Sequence, residues 1–330
     1  MRVMVAGSEG SLMQATIPHL LAAGNSVAGV DNFFRYGKIE RCRDYQFIEA
    51  DLADRQVVRD VLRDHKIEMV IQAAARIFGV GGFHKYPADI LSQDVLLHQN
   101  ILSEGLAHGV LKIVYISSSM VYERATNVPT GEDDVRNMLI PFTDYGLSKL
   151  VGERLCAAFQ RQYGLPYTVW RPFNILTPYE QGEEEQGISH VFADFIRKIV
   201  LEKRNPLEII GDGEQVRCFT WIGDVAGAIA KYSFNPTTDN QVYNLGNPQP
   251  ITMRELAHKI HAIAARLGAV PEEPALSFIH RRAYDDDVLV RIPSIEKAMR
   301  ELKWSPRVLL DEALEICVSK VVMESQAAAR

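Results

Sequence analysis

Residues 2–13 of the chain read Arg-Val-Met-Val-Ala-Gly-Ser-Glu-Gly-Ser-Leu-Met. The apolar run up to Ala6 is typical of a buried parallel strand, and Gly7 and Gly10 fit the first two positions of a Gly-x-x-Gly-x-x-Gly turn. Glycine there lets the backbone approach a pyrophosphate at the N-terminus of the following helix. Met13 takes the place of the third glycine, and an ordinary strand-to-helix turn would carry the same two glycines. We predict a pyrophosphate-binding loop here, and this prediction depends on finding further cofactor-binding residues elsewhere in the chain.

The remainder of the first half repeats this order of strand and helix. Short β-branched runs alternate with amphipathic stretches such as residues 14–23 and 96–108, as a parallel sheet with covering helices requires. The predicted strands are Arg2–Ala6, Ser26–Asp31, Tyr45–Glu49, Met69–Gln72, Lys112–Ser117 and Tyr167–Arg171. The pattern predicts an α/β fold, a Rossmann-type doubly wound parallel sheet.

Acidic and small residues follow the next strands, where a dinucleotide would lie. Asp31 ends the second strand, where its carboxylate can accept both hydroxyls of an adenosine ribose and would repel a 2′-phosphate. This favours NAD over NADP as the cofactor, although Arg35, Lys38 or Arg41 could offset a phosphate. The other cofactor-binding residues predicted here are Asn32, Asp51, Leu52, Ala73 and Ala75. Taken singly, each also fits ordinary turn chemistry.

A tyrosine and a lysine one helical turn apart form a candidate proton-transfer pair. Tyr145 and Lys149, at i and i+4 of a predicted helix, share one face. An ammonium near a phenol, with the positive nicotinamide beside it, favours the phenolate and lowers the tyrosine pKa. Ser117-Ser118-Ser119 follows the fifth strand at the carboxyl edge of the sheet, where a serine can bind the reacting oxygen. An exposed Tyr/Lys pair and a polar turn are the plainer alternatives.

Composition excludes several classes of protein. Of the 330 residues, 47% are hydrophobic and 24% charged, and the net charge of −6 leaves no basic surplus for a nucleic-acid backbone. The four cysteines lack the spacing of a zinc site or a disulfide framework. No apolar run approaches the roughly 18 residues of a membrane span, and the N-terminus lacks a signal-peptide core. We expect a cytoplasmic protein that binds no metal, nucleic acid or membrane.

Four stretches around and beyond the sixth strand complete a family pattern. They are residues 171–174 (Arg-Pro-Phe-Asn), 211–220, 243–247 and 291–298. With the glycine loop and the Tyr-x-x-x-Lys pair, they resemble the extended short-chain dehydrogenase/reductase family over nearly the whole chain. Within that family the resemblance is to the NAD-dependent nucleotide-sugar epimerase/dehydratase branch.

The resemblance implies roles for single residues. It implies that the catalytic set is Ser118, Tyr145 and Lys149, with the tyrosine and the lysine also touching the cofactor. The residues that it implies for binding the nucleotide sugar are Ser119, Asn174, His190, Arg217 and Arg291. The two arginines would clamp the diphosphate, since a planar guanidinium suits bidentate contact with phosphate.

Departures from the family pattern bear on the reaction. Sugar-nucleotide 4,6-dehydratases carry an acid pair where this chain has Ser119 and Met120, and a thioether cannot transfer a proton. The nearest resemblances are to GDP-mannose 3,5-epimerase and GDP-fucose synthase-like members and to UDP-sugar 4-epimerase-like members. In the synthase a histidine like His190 works with a cysteine at the Met120 position, which is absent here. His190 is therefore open to interpretation as an acid, a substrate hydrogen-bonder or a helix-start residue.

The reaction that remains compatible with these residues needs only NAD, a base and a keto intermediate that rotates in the pocket. The predicted function is C4 inversion of a nucleotide-diphosphate sugar. A nucleotide-sugar dehydratase or reductase that uses His190 or another acid is one alternative, and a catalytically silent NAD-binding protein is another.

The length of the chain exceeds what one core usually serves. We expect an NAD-binding Rossmann domain in residues 1–175 and a smaller α/β lobe for the sugar nucleotide in residues 176–330, with segments around 210–235 returning to the first domain. Family members usually pair through two long helices, predicted here at 91–109 and 147–163, which implies a homodimer.

Overall fold

A computed structural model describes residues 1–35, 37–38, 41–180, 182–185 and 187–328. Its strands are β1 (Arg2–Ala6), β2 (Ser26–Asp31), β3 (Gln46–Glu49), β4 (Met69–Gln72), β5 (Lys112–Ile116), β6 (Tyr167–Pro172), β7 (Ile175–Leu176), β8 (Leu207–Ile210), β9 (Val216–Cys218), β10 (Thr220–Trp221), β11 (Gln241–Leu245), β12 (Pro250–Thr252) and β13 (Phe278–Arg281). Its α-helices are α1 (Ser11–Ala22), α2 (Arg55–Asp64), α3 (Val80–Lys85), α4 (Pro87–Ala107), α5 (Asp144–Tyr163), α6 (Val191–Ile196), α7 (Ile222–Tyr232), α8 (Met253–Arg266), α9 (Glu296–Leu302) and α10 (Leu310–Ala328).

The main sheet is parallel and has the strand order β11-β6-β5-β4-β1-β2-β3. Val5 of β1 lies between Gly29 of β2 and Ile71 of β4. Helices cover both faces, so β4 and most of β1 are buried, as their continuous apolar runs require. The predicted Rossmann-type doubly wound sheet is confirmed. The order reverses between β1 and β4, which is where such folds open a ligand crevice.

The observed element bounds differ slightly from the predicted ones in several places. β5 ends at Ile116, one residue before the predicted Ser117. β3 omits Tyr45, whose hydroxyl reaches the loop after β1 instead. Helix α1 begins at Ser11, earlier than predicted, because the carbonyl of Gly10 already accepts a helical hydrogen bond.

Segments beyond residue 175 contribute to two different cores. β11 adds a seventh strand to the main sheet, which the sequence did not predict, and α7 packs on α1 in the same apolar cluster. A second cluster is built from residues between 176 and 322, many of them on α6, α8 and α10. The division at residue 175 stays a prediction. In the described ranges, no helix has the length and apolar character needed to cross a membrane.

Candidate functional site

A cavity of about 440 Å³ opens at the carboxyl ends of β1, β4 and β5 and extends toward the segments beyond residue 175. All the residues singled out from the sequence as site residues border it. They are Gly7, Gly10, Asp31, Asn32, Asp51, Leu52, Ala73, Ala75, Ser118, Ser119, Tyr145, Lys149, Asn174, His190, Arg217 and Arg291. The fold brings these residues together, and their individual roles stay predictions.

The loop after β1 is shaped for close approach of a ligand. Gly7 has a φ of +77°, and a Cβ there would lie 2.8 Å from the backbone nitrogen of Ala74. Only glycine fits this conformation and this contact. Gly10 is the N-cap of the twelve-residue helix α1, whose first turn borders the cavity. Exposed N–H groups at a helix N-terminus suit a pyrophosphate, so the loop fits the dinucleotide that the sequence predicts.

Met13, the residue that breaks the glycine pattern, is 1% exposed and belongs to the apolar cluster between α1 and the sheet. The residue also borders the cavity. The methionine therefore fills space where the family pattern has no side chain, while Gly7 and Gly10 keep the approach to the loop open.

Asp31 lies at the end of β2 with its carboxylate held by the backbone. It accepts hydrogen bonds from the nitrogen of Glu9 at 3.0 Å and from that of Phe33 at 2.8 Å. Burial raises the pKa of the Asp31 carboxyl, and these two hydrogen bonds act in the opposite direction. Asn32 donates to Asp51 at 3.2 Å at the same edge. These acceptors fit the hydroxyls of an adenosine ribose.

The three basic residues that could have offset a 2′-phosphate are engaged by carboxylates. Lys38 lies 2.7 Å from Glu49, and Arg41 lies 3.1 Å from Glu9. Arg35 pairs with Glu183 across the mouth of the cavity. Their pairing is consistent with NAD as the cofactor.

Tyr145 and Lys149 lie on the first turns of α5, which Thr143 caps by accepting a hydrogen bond from Gly146. The Lys149 ammonium lies 5.7 Å from the centre of the tyrosine ring and donates to the Ile116 carbonyl at 3.1 Å. Both side chains are buried. The pair therefore faces the cavity from helix α5, beside the carboxyl end of β5.

Burial raises the pKa of Tyr145, and a hydrogen bond with Ser118 acts in the opposite direction. The lowering of the Tyr145 pKa expected from the sequence is thus not present in the chain by itself, because desolvation of the phenolate outweighs the Ser118 hydrogen bond and the charge of Arg291. The predicted mechanism needs the positive nicotinamide in addition to Lys149. Ser118 also accepts a hydrogen bond from the nitrogen of Met120 at 3.1 Å, which fixes the turn that carries Ser119.

Sequence reasoning missed the groups that surround this pair. Phe83 stacks on the Tyr145 ring with centroids 4.5 Å apart. Asp94 is fully buried on α4 and accepts hydrogen bonds from the nitrogen of Arg76 and the hydroxyl of Ser148. Burial lowers the pKa of Lys149, and Asp94 acts against it. In the sequence Asp94 cannot be distinguished from an exposed acid on a helix. Its burial depends on residues that are far from it along the chain but pack against it in the fold.

Two arginines from the second half of the chain border the cavity. Arg217 pairs with Asp287 at 3.0 Å. The Nη2 of Arg291 is 3.5 Å from the Asn174 side-chain oxygen, its Nη1 contacts Met120, and its Nε has no partner among the described residues. Burial lowers the pKa of Arg291 to about 9, and the charge of Arg217 adds to this effect. A buried guanidinium with open donors is suited to an anionic ligand.

His190 is held by a carboxylate that the sequence did not single out. Its Nδ1 lies 2.7 and 2.9 Å from the two oxygens of Glu180, which is nearly buried, while the histidine side chain is 44% exposed at the cavity. Partial burial favours the neutral ring, but the Glu180 carboxylate outweighs it and raises the pKa of His190. A histidine oriented through Nδ1 presents Nε2 to a ligand. The acidic run 183–185 makes contacts on the same segment of the chain, since Glu183 pairs with Arg35 and Glu185 with Lys85.

Comparisons with known proteins agree on a family. The pattern of the NAD dependent epimerase/dehydratase family matches residues 3–246. A UDP-glucuronate 4-epimerase of Thermodesulfobacterium geofontis is 28% identical over 96% of this chain and 94% of that protein. The crystal structure of UDP-glucose 4-epimerase from Thermotoga maritima with UDP-glucose is similar with a TM-score of 0.82 and 26% identity, covering 99% of this chain and 100% of that one. The Thermus thermophilus UDP-glucose 4-epimerase in complex with NAD gives a TM-score of 0.82 and 25% identity over 97% of this chain and 98% of that one.

Proposed function

Because this chain belongs to the NAD dependent epimerase/dehydratase family, we propose that it inverts C4 of a nucleotide-diphosphate sugar through a transient 4-keto intermediate. One observation carries the proposal. The three candidate catalytic residues border the same cavity as the two arginines. Met120, a thioether, stands where the dehydratases of the family carry an acid for the elimination of water.

Residues on one part of the cavity would bind the nucleotide sugar. Arg291, with its open donors, and Arg217 would hold the diphosphate, and Asn174 would contact the sugar nucleotide beside them. A diphosphate has to replace Asp287 as the partner of Arg217, which makes binding an exchange of one anion for another. This anchoring leaves the sugar ring able to turn, since its only fixed end is the nucleotide.

Proton transfer is assigned to Tyr145, with Ser118 as the second hydrogen-bonding group on the reacting oxygen. When bound, NAD supplies the reversible oxidation of a sugar alcohol to a ketone. Lys149 keeps a positive charge beside the phenol and donates to Ile116, so its position does not depend on the substrate. Inversion requires that the ketone turn its other face before reduction, and the same tyrosine then returns the proton.

The proposal is tested by incubating the protein with UDP-, GDP-, dTDP- and CDP-sugars, UDP-glucose and UDP-glucuronate among them, and NAD. We expect a C4-inverted product from at least one sugar nucleotide and no net reduced cofactor. Loss of water, net reduction of NAD or the absence of any C4-inverted product would contradict the proposal.

A second candidate is a nucleotide-sugar reductase or dehydratase, and the ion pair between His190 and Glu180 favours it. A histidine held by a buried carboxylate can act as an acid or a base on a carbon next to a ketone. Net consumption of reduced cofactor, or loss of water detected by mass, would support this reaction over simple C4 inversion.

We also propose that two copies pair through α4 and α5 in the cytoplasm. The two helices pack side by side and carry partly exposed apolar residues, among them Leu91 and Val95 on α4 and Leu147 and Val151 on α5. The four cysteines are free thiols, which suits a reducing compartment. Sedimentation at micromolar concentration should give twice the mass of the chain.

A further inference from the structure

We propose that Glu9 is a specificity-determining residue for the cofactor, because it binds two arginines beside the ribose acid and so keeps them from accepting the 2′-phosphate of NADP. The inference rests on the proposed position of the adenosine ribose at Asp31. It does not depend on the reaction at C4.

Glu9 is a buried carboxylate with several donors. Its side chain is 5% exposed. Arg43 approaches in a two-pronged geometry, with Nε 3.0 Å from one oxygen and Nη2 3.0 Å from the other. Arg41 Nε lies 3.1 Å away, and the Tyr45 hydroxyl donates at 2.6 Å. Burial raises the pKa of Glu9, but these hydrogen bonds and charges outweigh it and lower the pKa, so the group is ionised at neutral pH.

The fold makes room for this cluster. Gly29 lies in the middle of β2, and a Cβ on it would lie 2.5 Å from the Tyr45 ring and 2.8 Å from Ser8. The missing side chain therefore lets the tyrosine ring pack on the strand and reach Glu9. A carboxylate with this many specific partners is a built feature of the site, unlike a surface acid that meets an arginine by chance.

The cluster borders the place where NAD and NADP differ. The backbone nitrogen of Glu9 donates to Asp31 at 3.0 Å, so one residue links the ribose acid to the arginines. A guanidinium fork binds phosphate with the same geometry with which it binds a carboxylate. Glu9 therefore occupies the fork of Arg43 and pairs with the charge of Arg41, both of which a 2′-phosphate would otherwise recruit, and it adds a second negative charge beside Asp31.

The direct test measures dissociation constants of NAD and NADP by calorimetry on the full chain, without any sugar nucleotide. We expect Glu9→Gln, which keeps the size but removes the charge and one of the two acceptor oxygens, to tighten NADP binding by about tenfold relative to NAD. Glu9→Ala should also tighten NADP binding relative to NAD, and it replaces Glu9→Gln in the experiment if that variant folds poorly. Glu9→Asp, which keeps the charge, should not improve NADP binding.

Two controls separate the arginines from a general change of charge. Glu68→Gln removes an acid that pairs with Arg2 at 3.2 Å, at the end of β1 opposite the glycine loop, and should leave the ratio of the two constants unchanged. The triple variant Glu9→Gln/Arg41→Gln/Arg43→Gln should lose the gain in NADP affinity. An equal effect of Glu9→Gln on both cofactors, or a gain that persists in the triple variant, would overturn the inference. A protein that binds NAD as expected but fails to invert C4 would leave the inference standing and refute the proposed reaction.

Discussion

At the scale of single residues, burial decides the chemistry of the candidate catalytic groups. Tyr145, Lys149 and Asp94 are each 5% exposed or less, so every charge among them depends on its neighbours. The spacing of the tyrosine and the lysine was visible in the sequence, because it follows from helix geometry alone. Asp94 and Glu180 were not, since their importance comes from contacts with segments far along the chain.

Tyr145→Phe removes the hydroxyl but keeps the ring that stacks on Phe83. We expect turnover to fall by about 100- to 10,000-fold, the usual contribution of a positioned acid or base, with the affinity for NAD unchanged. The measurement is kcat with the active sugar nucleotide together with the dissociation constant of NAD. Tyr179→Phe, at an exposed tyrosine, is the control. Normal turnover of Tyr145→Phe would show that the proton passes through another group.

Asp94→Asn tests whether the buried acid tunes the Tyr145–Lys149 pair. The Asp94 charge raises the pKa of both groups, so its removal should shift the acidic and the basic limbs of the pH profile of kcat to lower pH. The asparagine oxygen can still accept the bond from the Arg76 nitrogen. Asp89→Asn removes an exposed acid of the same helix and should leave the profile in place. An unshifted profile for Asp94→Asn would mean that the residue is only structural.

At the scale of elements, the site depends on how strand ends and helix starts meet. The sequence predicted the strands of the first half to within a residue, because fully buried parallel strands are continuous apolar runs. It missed β11, in which Gln241 and Asn244 interrupt the apolar run and which follows α7 at the far edge of the sheet. Position in the chain gives no sign that a strand so far from the others joins them.

Gly7→Ala tests the loop between β1 and α1. The new methyl group would lie 2.8 Å from the Ala74 backbone in a residue with φ of +77°. We expect a loss of stability of about 2 kcal/mol and NAD binding weaker by at least tenfold, because the loop must move. Gly24→Ala has a similar φ of +80° with no heavy atom within 4 Å of the new Cβ. It should lose stability to strain alone and keep its affinity for NAD; equal affinities of the two variants would contradict this account of the loop.

At the scale of the whole molecule, loops from distant parts of the chain meet over the cavity. Arg35, after β2, pairs with Glu183, and Lys85 of α3 pairs with Glu185 at 2.6 Å. Gly79 donates to the Ile188 carbonyl at 2.6 Å. Loops 79–89 and 177–192 both border the cavity, and residues 181 and 186 of the latter lie outside the described ranges. The sequence alone does not pair these loops, because charge complementarity between them does not fix which acid meets which base.

Arg35→Ala should speed the dissociation of NAD. Removal of a partly buried ion pair at the cavity mouth is worth about 1 kcal/mol, which corresponds to a rate increase of roughly fivefold. Stopped-flow displacement of bound NAD measures the rate. Lys38→Ala, at an exposed pair with Glu49, is the control and should leave the rate unchanged. An unchanged rate for Arg35→Ala would show that this contact does not retain the cofactor.

In the proposed reaction one sugar carbon, C4, is oxidised and reduced in place. An isotope experiment tests this with the sugar nucleotide found active in the panel, deuterated at C4, in ordinary water, with a parallel reaction of unlabelled substrate in D₂O. We expect a C4-inverted product that keeps its deuterium at C4 and takes up no carbon-bound deuterium from solvent. Loss of the label from C4, or solvent deuterium at C3 or C5, would contradict it and point to acid–base chemistry at the neighbouring carbons by His190 and Glu180.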